Sequence, residues 1–166
     1  MFAFRQAELA DVGAVGEAVI RGFDGYRSFA PAGWEPPGAV GEVERIRGLM
    51  TSGDLWCELA ERDGAWAGVV AFTPVSASFA PVDDPRLAHL RYLFVEPEWW
   101  GSGLAVVLHR RVLEEATRRG YTAMRLFTPA EQLRARRFYE REGWREGGEA
   151  PAAGGLPTVQ YRRALG

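Results

Sequence analysis

Leu93-Phe94-Val95-Glu96-Pro97-Glu98-Trp99-Trp100-Gly101-Ser102-Gly103-Leu104-Ala105 is a junction between a strand and a helix. An apolar run ends at Pro97, the chain turns through Gly101 and Gly103, and apolar residues then recur at helical spacing. Such a turn directs several backbone N–H groups and the positive end of a helix dipole at one place. An anion fits that place, and pyrophosphate is the leading candidate, because glycine lets a bulky ligand approach the backbone. A tight turn that binds nothing is the alternative.

Two common phosphate-binding motifs are excluded, one by the absence of lysine and the other by the residue at position 106. All twenty basic residues are arginines, whereas a Walker-type P-loop requires a lysine beside its last glycine. A dinucleotide-binding fingerprint requires a third glycine, here at position 106, and a place after the first strand of a βαβ unit. Val106 occupies that position, and the turn follows a later strand. A phosphate ligand of this turn must therefore belong to another class.

Composition sets further limits on the class of protein. The chain has 166 residues, of which 47% are hydrophobic and 25% charged, as expected for one globular domain over residues 1–166. A net charge of −2 argues against nucleic-acid binding. No apolar run approaches the roughly 20 residues of a membrane span, and no signal-peptide pattern is present, so we expect no membrane association. The single cysteine, Cys57, predicts a cytoplasmic protein without intrachain disulfides, and its apolar surroundings predict a core residue rather than a nucleophile.

Hydrophobic periodicity predicts six strands and four helices. The strands are expected at 2–5, 55–61, 65–72, 89–95, 123–128 and 158–164, and the helices at about 12–23, 39–51, 104–119 and 131–143. Asp63-Gly64 is typical of a hairpin turn between the second and third strands. This order predicts an α/β (α+β) fold in which a mixed central sheet is flanked by helices on both faces.

Two short motifs lie on the junction and on the helix after the next strand. The first motif follows a strand that ends in a Val-x-Pro-like turn and reads Trp100-Gly101-Ser102-Gly103-Leu104-Ala105. The second motif lies on the fourth predicted helix and reads Ala135-x-x-x-Tyr139-x-x-x-Gly143-Trp144. They resemble the acyl-CoA motif Arg/Gln-x-x-Gly-x-Gly/Ala and the pattern Ala-x-x-x-Tyr-x-x-x-Gly-Phe of the GNAT N-acetyltransferase superfamily. The resemblance covers nearly the full chain and implies the GNAT acyl-CoA N-acyltransferase fold. Two positions depart from the family pattern, since Trp100 replaces Arg or Gln and Gln132 replaces Asn.

The resemblance implies acetyl-CoA as co-substrate, with no metal ion. The diphosphate is expected on backbone N–H groups of the glycine turn, and pantetheine beside the preceding strand, where the N–H of Leu93 would face the thioester oxygen. Gln132 is expected to reach the partner of the usual asparagine. The expected cofactor-binding residues are Leu93, Phe94, Val95, Gly101, Ser102, Gly103, Leu104, Ala105, Val106 and Gln132.

Tyr139 is the expected catalytic acid, because the family tyrosine at this position lies near the CoA sulfur. A phenol of pKa about 10 stays protonated at neutral pH, as a general acid must. Phe138 and Tyr139 are adjacent on one helix, so we expect Phe138 in the core and the Tyr139 phenol in the cleft.

His89 is the expected general base. It lies eleven residues before the first motif position, near where some family members carry a catalytic glutamate, and its ordinary pKa of about 6.5 suits proton removal. A solvated residue at the start of the strand is the alternative of equal weight. Phe127 occupies the place of a glutamate that other members use, and Glu96, Asp83 and Asp84 are weaker candidates. His109 is expected to be a packed helix residue.

The implied function is transfer of an acetyl group from acetyl-CoA directly to a primary amine of a small molecule or peptide. A non-catalytic acyl-CoA-binding module and a transferase for longer acyl groups are the alternatives. We expect the acceptor site to lie between three loops, at residues 24–38, 76–88 and 147–157. The aromatic residues expected to line it are Tyr26, Phe29 and Trp34. Acidic residues on these loops weakly favour a cationic amine. Family members are frequently dimers, so the resemblance also permits a homodimer.

Overall fold

The computed structural model describes all residues from Met1 to Gly166. The strands are β1 (Ala3–Gln6), β2 (Trp56–Arg62), β3 (Ala65–Pro74), β4 (Leu87–Val95), β5 (Ala123–Pro129), β6 (Arg145–Glu146) and β7 (Thr158–Ala164). The α-helices are α1 (Val12–Asp24), α2 (Ala39–Thr51), α3 (Leu104–Arg118) and α4 (Leu133–Arg141). Every predicted strand and helix is present, with ends that differ by a few residues, and the short β6 is an addition.

The strands form one seven-stranded sheet in the order β1-β2-β3-β4-β5-β7-β6. Only β4 and β5 pair in parallel, while all other neighbours are antiparallel. At the β2–β3 hairpin, Asp63 and Gly64 both have positive φ, of 54° and 78°. Such angles are what a two-residue hairpin turn requires. The predicted mixed sheet and the predicted hairpin are both confirmed.

Two apolar cores lie on opposite faces of the sheet. Alternate residues of β2 show the division, since Cys57 and Leu59 join the core under α1 and α2, whereas Trp56 and Ala60 join the core under α3 and α4. Cys57 is buried, as expected, and burial raises the pKa of its thiol to about 12. The predicted helices on both faces are confirmed. None of the helices combines the length and apolarity needed to cross a membrane.

Strand β4 is paired unequally on its two sides. It pairs with β3 from Ala88 to Val95, but with β5 only where Leu87–His89 faces Ala123–Arg125. The ladder to β3 contains a bulge, because Ala71 pairs with Tyr92 while Phe72 pairs with Leu90, which leaves Arg91 as the extra residue. Beyond His89, therefore, the side of β4 that faces β5 has no strand partner, and a cleft opens there.

Gly22 brings α1 close to this half of β4. A Cβ at Gly22 would lie 2.5 Å from the ring of Phe94, so only glycine permits the approach. The glycine does not end the helix, which continues to Asp24. The end of α1 and the segment after it consequently form one wall of the cleft.

Candidate active site

The cleft has a volume of about 1100 Å³ and combines four parts of the chain. These are the unpaired half of β4, the glycine turn before α3, the cleft-facing side of α4, and the end of α1 with the short 3₁₀ helix Gly25–Ser28. A cleft of this size that joins apolar walls with a few convergent polar groups is typical of a ligand site.

The glycine turn has the backbone conformation that the sequence predicts. Gly101 and Gly103 have φ of 81° and 86°, a region that other residues rarely adopt. A Cβ at either position would meet nothing within 4 Å, so the space above the turn is open. The Ser102 hydroxyl donates to the Trp99 carbonyl at 2.6 Å and accepts from the N–H of Leu104 at 3.3 Å. Ser102 therefore fixes the turn from within.

Four backbone N–H groups of this turn have no acceptor in the protein. They belong to Gly101, Gly103, Ala105 and Val106, and all four residues line the cleft. The last two are in the first turn of α3, where helix geometry leaves N–H groups unpaired. Together with the helix dipole they form an anion site, so the residues present fit a diphosphate.

Trp100 has a role that its motif position does not suggest. Its indole N–H donates to the carbonyl of Val95 at 2.9 Å, and the ring, although 55% exposed, carries the Arg134 guanidinium at 4.0 Å from its centroid. Arg134 lies in the first turn of α4 and lines the cleft. A positive charge therefore stands beside the turn although the motif itself lacks an arginine.

Arg134 was not predicted from the sequence, although a signal existed. Arg134, Arg137 and Arg141 recur at helical spacing on α4, and all three line the cleft. A single-sign stripe on one helix face produces a local positive field. On the same wall, the Gln132 amide oxygen accepts from the Thr128 hydroxyl at 2.9 Å and borders the cleft just before α4.

Leu93, Phe94 and Val95 line the cleft on the unpaired side of β4. In a strand, successive N–H groups alternate between the two neighbours, so part of the β4 backbone is available to a ligand there. Their side chains alternate too: Leu93 and Val95 pack on the core beneath α3, and Phe94 packs on the core beneath α1. The unpaired half of β4 thus separates two sub-regions of one cleft.

Tyr139 borders the cleft on α4 and is 8% exposed. Its ring packs against Phe138, Trp144 and Tyr161, while its hydroxyl makes no hydrogen bond with the protein. Burial raises the pKa of the phenol above its ordinary value, so it stays protonated. The expectation about its neighbour is corrected: Phe138 is only half-buried, at the cleft and edge-on to His109, and Tyr139 is the more buried of the two.

His89 does not reach the cleft. Its ring is 3% exposed and is covered by Phe79 and Phe127, and its Nδ1 accepts from the Arg125 Nε at 3.2 Å. Burial, followed by the positive charges of Arg125 and Arg91, lowers the pKa of His89 to about 3. A histidine in this state neither touches a substrate nor accepts its proton, so the geometry gives no support to the predicted role as base. The alternative of a solvated residue fails as well.

His109 is a packed helix residue, as expected. Its Nε2 accepts from the Trp144 indole N–H at 2.8 Å, and burial, with the nearby charge of Arg163, lowers the pKa of His109 to about 4. Neither histidine is therefore protonated at neutral pH. Glu96, one of the weaker base candidates, does line the cleft, and its Oε1 accepts from Arg21 at 2.7 Å.

The end of the cleft beneath α1 is smaller than the expected acceptor site. Tyr26 and Phe29 line it together with Phe94, but residues 76–88 and 147–157 do not. Trp34 lies behind Tyr26 and donates its indole N–H to the Gly154 carbonyl at 2.7 Å, which ties the two long loops together. The glycine-rich loop therefore supports the wall of the cleft instead of lining it.

Burial raises the pKa of the Tyr26 phenol, and a negative charge on Tyr139 would raise it further. Tyr26 lines the α1 side of the cleft and Tyr139 lines the α4 side. The phenols of these two residues therefore belong to different walls of one cleft.

Free N–H groups on the glycine turn and an unpaired strand beside it fit the diphosphate and the extended arm of an acyl-CoA. The chain belongs to the acetyltransferase (GNAT) family, whose model matches residues 25–144. N-acetylaspartate synthetase of Danio rerio is 37% identical over 67 residues, which cover 40% of this chain and 24% of that protein. N-acetyltransferase 8 of Homo sapiens is 38% identical over 74 residues, 42% of this chain and 33% of that protein.

The chain therefore matches a third or less of the length of these two relatives. Among solved structures, PaiA N-acetyltransferase of Thermoplasma acidophilum in complex with coenzyme A superimposes over 99% of both chains, with a TM-score of 0.75 and 12% identity. Two other acetyltransferases of this fold were solved with acetyl-CoA. These likenesses confirm the predicted GNAT fold.

Proposed function

We propose that this protein transfers an acetyl group from acetyl-CoA to a primary amine. The observation that carries the proposal is the opening of four unpaired N–H groups, at Gly101, Gly103, Ala105 and Val106, into the same cleft as the Tyr139 hydroxyl. The first feature suits a diphosphate and the second suits a thiolate leaving group. Similar structures that hold CoA or acetyl-CoA support the same assignment.

In this proposal the backbone of the glycine turn binds the diphosphate, and Arg134, which stacks on Trp100 beside the turn, adds a charge-assisted contact. Leu93, Phe94 and Val95 hold the pantetheine arm, because the cleft side of β4 has no strand partner. A backbone N–H of this strand, that of Leu93 in the family pattern, polarises the thioester carbonyl. One oriented donor at a developing oxyanion contributes a few kcal/mol, roughly 3–4 in the best-measured case.

A primary amine that has first released its ammonium proton to solvent attacks the thioester carbon through its nitrogen, so that a C–N bond forms and the C–S bond breaks. Tyr139 donates its proton to the departing sulfur, and the nitrogen loses one proton through water in the cleft, which restores the phenol. The products are an N-acetylated amine and CoA with a free thiol. Burial keeps the Tyr139 phenol protonated at neutral pH, which is the state a proton donor needs, although the raised pKa also makes it a weaker acid.

Release of CoA thiol from acetyl-CoA in the presence of an amine panel tests the proposal. Tyr139→Phe should lower kcat about 10²- to 10⁴-fold, the usual contribution of a positioned acid, with unchanged CoA affinity. Tyr121→Phe is the matched control, because Tyr121 is half-buried, lies outside the cleft and makes no side-chain hydrogen bond through its hydroxyl. Equal kcat values for the two variants would remove Tyr139 from the chemistry.

Tight CoA binding without turnover of any amine would instead favour a non-catalytic acyl-CoA-binding module. The same assay with butyryl-CoA or octanoyl-CoA in place of acetyl-CoA measures the preference for acyl length. A faster reaction with either longer donor would replace the acetyl assignment while leaving the class of transferase intact.

A further inference from the structure

The α1 end of the cleft is walled by aromatic rings that remain half-buried. Tyr26 and Phe29 lie 5.5 Å apart between ring centroids, and Tyr26 and Phe94 lie 6.4 Å apart. All three line the cleft. Aromatic rings fully absorbed into a core would not border a cleft, so these faces are available to an apolar group.

The wall is held in place from behind. Phe23 packs against Tyr26 at 5.7 Å and edge-on against Phe94 at 5.6 Å. Gly22 sets the distance between α1 and β4, and the hydrogen bond from Trp34 to Gly154 anchors the loop that carries Phe29. The aromatic wall is therefore a preformed surface, which binds a flat ring with little reordering.

The acidic residues near this wall are already engaged by arginine. Asp24 lines the cleft, but its Oδ1 accepts from the Arg27 Nε at 2.6 Å, and Arg27 also donates to Glu35 at 2.8 Å. Glu96 is held by Arg21. A polyamine acceptor needs unpaired carboxylates for its additional ammonium groups, and none lies at this end of the cleft. Of the acidic loop residues that weakly favoured a cationic amine, Asp24 and Glu35 are thus paired with an arginine within the fold.

We propose that the acceptor is a small primary amine that carries an aromatic ring on a short aliphatic linker. The ring would pack on the wall of Tyr26, Phe29 and Phe94, and the amine would reach the thioester between Tyr26 and Tyr139. The chemistry is the transfer already described, in which a C–N bond replaces the C–S bond and sulfur takes a proton. This inference rests on the proposed acetyltransferase function and adds the substrate class.

Measurement of kcat/KM at saturating acetyl-CoA for four probes tests the substrate class. The probes are 2-phenylethylamine, butylamine, spermidine and a short peptide with a free N-terminus. Burial of one aromatic ring corresponds to a preference of about tenfold to hundredfold. The kcat/KM for 2-phenylethylamine should therefore exceed that for each of the other probes by this factor. A higher kcat/KM for spermidine or for the peptide would overturn the inference.

Two variants and one control separate this inference from a general loss of function. Phe29→Ala should lower kcat/KM for 2-phenylethylamine about tenfold, mainly through KM, and lower kcat/KM for butylamine by a smaller factor. Phe79→Ala is the matched control, since Phe79 is an exposed phenylalanine outside the cleft. Arg27→Gln should raise the relative rate of spermidine, because it frees Asp24 and Glu35.

If Phe29→Ala lowered kcat/KM equally for all amines, the Phe29 ring would have only a structural role, and the proposed substrate class would be rejected. Turnover of butylamine or the peptide without preference for the aromatic amine would reject the inference alone. CoA binding without turnover of any probe would reject the proposed function together with it. The outcomes are thus distinguishable.

Discussion

Replacement of Gly103 by alanine tests whether the glycine turn is a binding site or only a turn. Gly103 has a φ of 86°, and a Cβ there meets nothing within 4 Å. The folded protein without ligand should therefore lose only the cost of the left-handed backbone conformation, about 1–2 kcal/mol for a non-glycine residue. In a protein of this size that loss lowers Tm by about 2–8 °C.

The binding effect should be separate from this strain. The methyl group would stand in the open space above the turn, where a diphosphate must lie to accept the neighbouring N–H groups. Loss of one hydrogen bond to a charged group costs about 1.5–3 kcal/mol, which raises the Kd for CoA about tenfold to hundredfold. Calorimetric titration with CoA measures this change, and urea unfolding measures the strain in the same samples.

Gly53→Ala is the matched control for Gly103→Ala. Gly53 has a φ of 79°, has no atom within 4 Å of an added Cβ, and lies outside the cleft. It should lose similar stability and bind CoA with the wild-type Kd. If Gly103→Ala also kept the wild-type Kd, the turn would be a structural connection, and the diphosphate site proposed here would be wrong.

Three further predictions follow from individual contacts. Arg134→Gln should raise the Kd for CoA about tenfold at low salt and less at 1 M salt, measured by the same titration, because the charge stacked on Trp100 is exposed to screening. The pKa of His89 is about 3 in the folded protein and about 6.5 in the unfolded chain, so the protein loses stability as the pH falls from 6.5 towards 3. Between pH 7.5 and pH 5, the free energy of unfolding in urea should therefore fall by about 2 kcal/mol less for His89→Gln than for the wild type. The pH–rate profiles of the two proteins should coincide. Gly22→Ala should destabilise the protein by about 1–3 kcal/mol in urea and raise KM for the acceptor, because its Cβ would overlap the Phe94 ring; unchanged values would contradict the close packing of α1 on β4.

The features that the sequence predicts correctly depend on local backbone geometry. Gly101 and Gly103 at the turn and Asp63-Gly64 at the hairpin require positive φ, and few residues adopt it, so each pattern restricts the structure directly. The apolar spacing of α3 likewise defines its buried face. Such signals need no knowledge of distant residues.

The features that the sequence misses depend on contacts between distant elements. The bulge at Arg91 shifts the alternation of β4, so His89 shares a face with Tyr92 instead of Leu93, and strict alternation does not reveal this. The partner of Trp100 is Arg134 on another helix, and no spacing along the chain connects them. The sequence shows an arginine stripe on α4, but the position of Arg134 beside the glycine turn is found only in three dimensions.

The unpaired half of β4 also bears on how this protein avoids association with other chains. A free strand edge on a protein surface is a template for pairing with a second polypeptide. Here the free edge beyond His89 lies inside a cleft, beside α4 and the glycine turn. An extended ligand with amide groups can enter the cleft and bond to this edge. The walls of the cleft thus cover a strand edge that would otherwise be open to pairing with another chain.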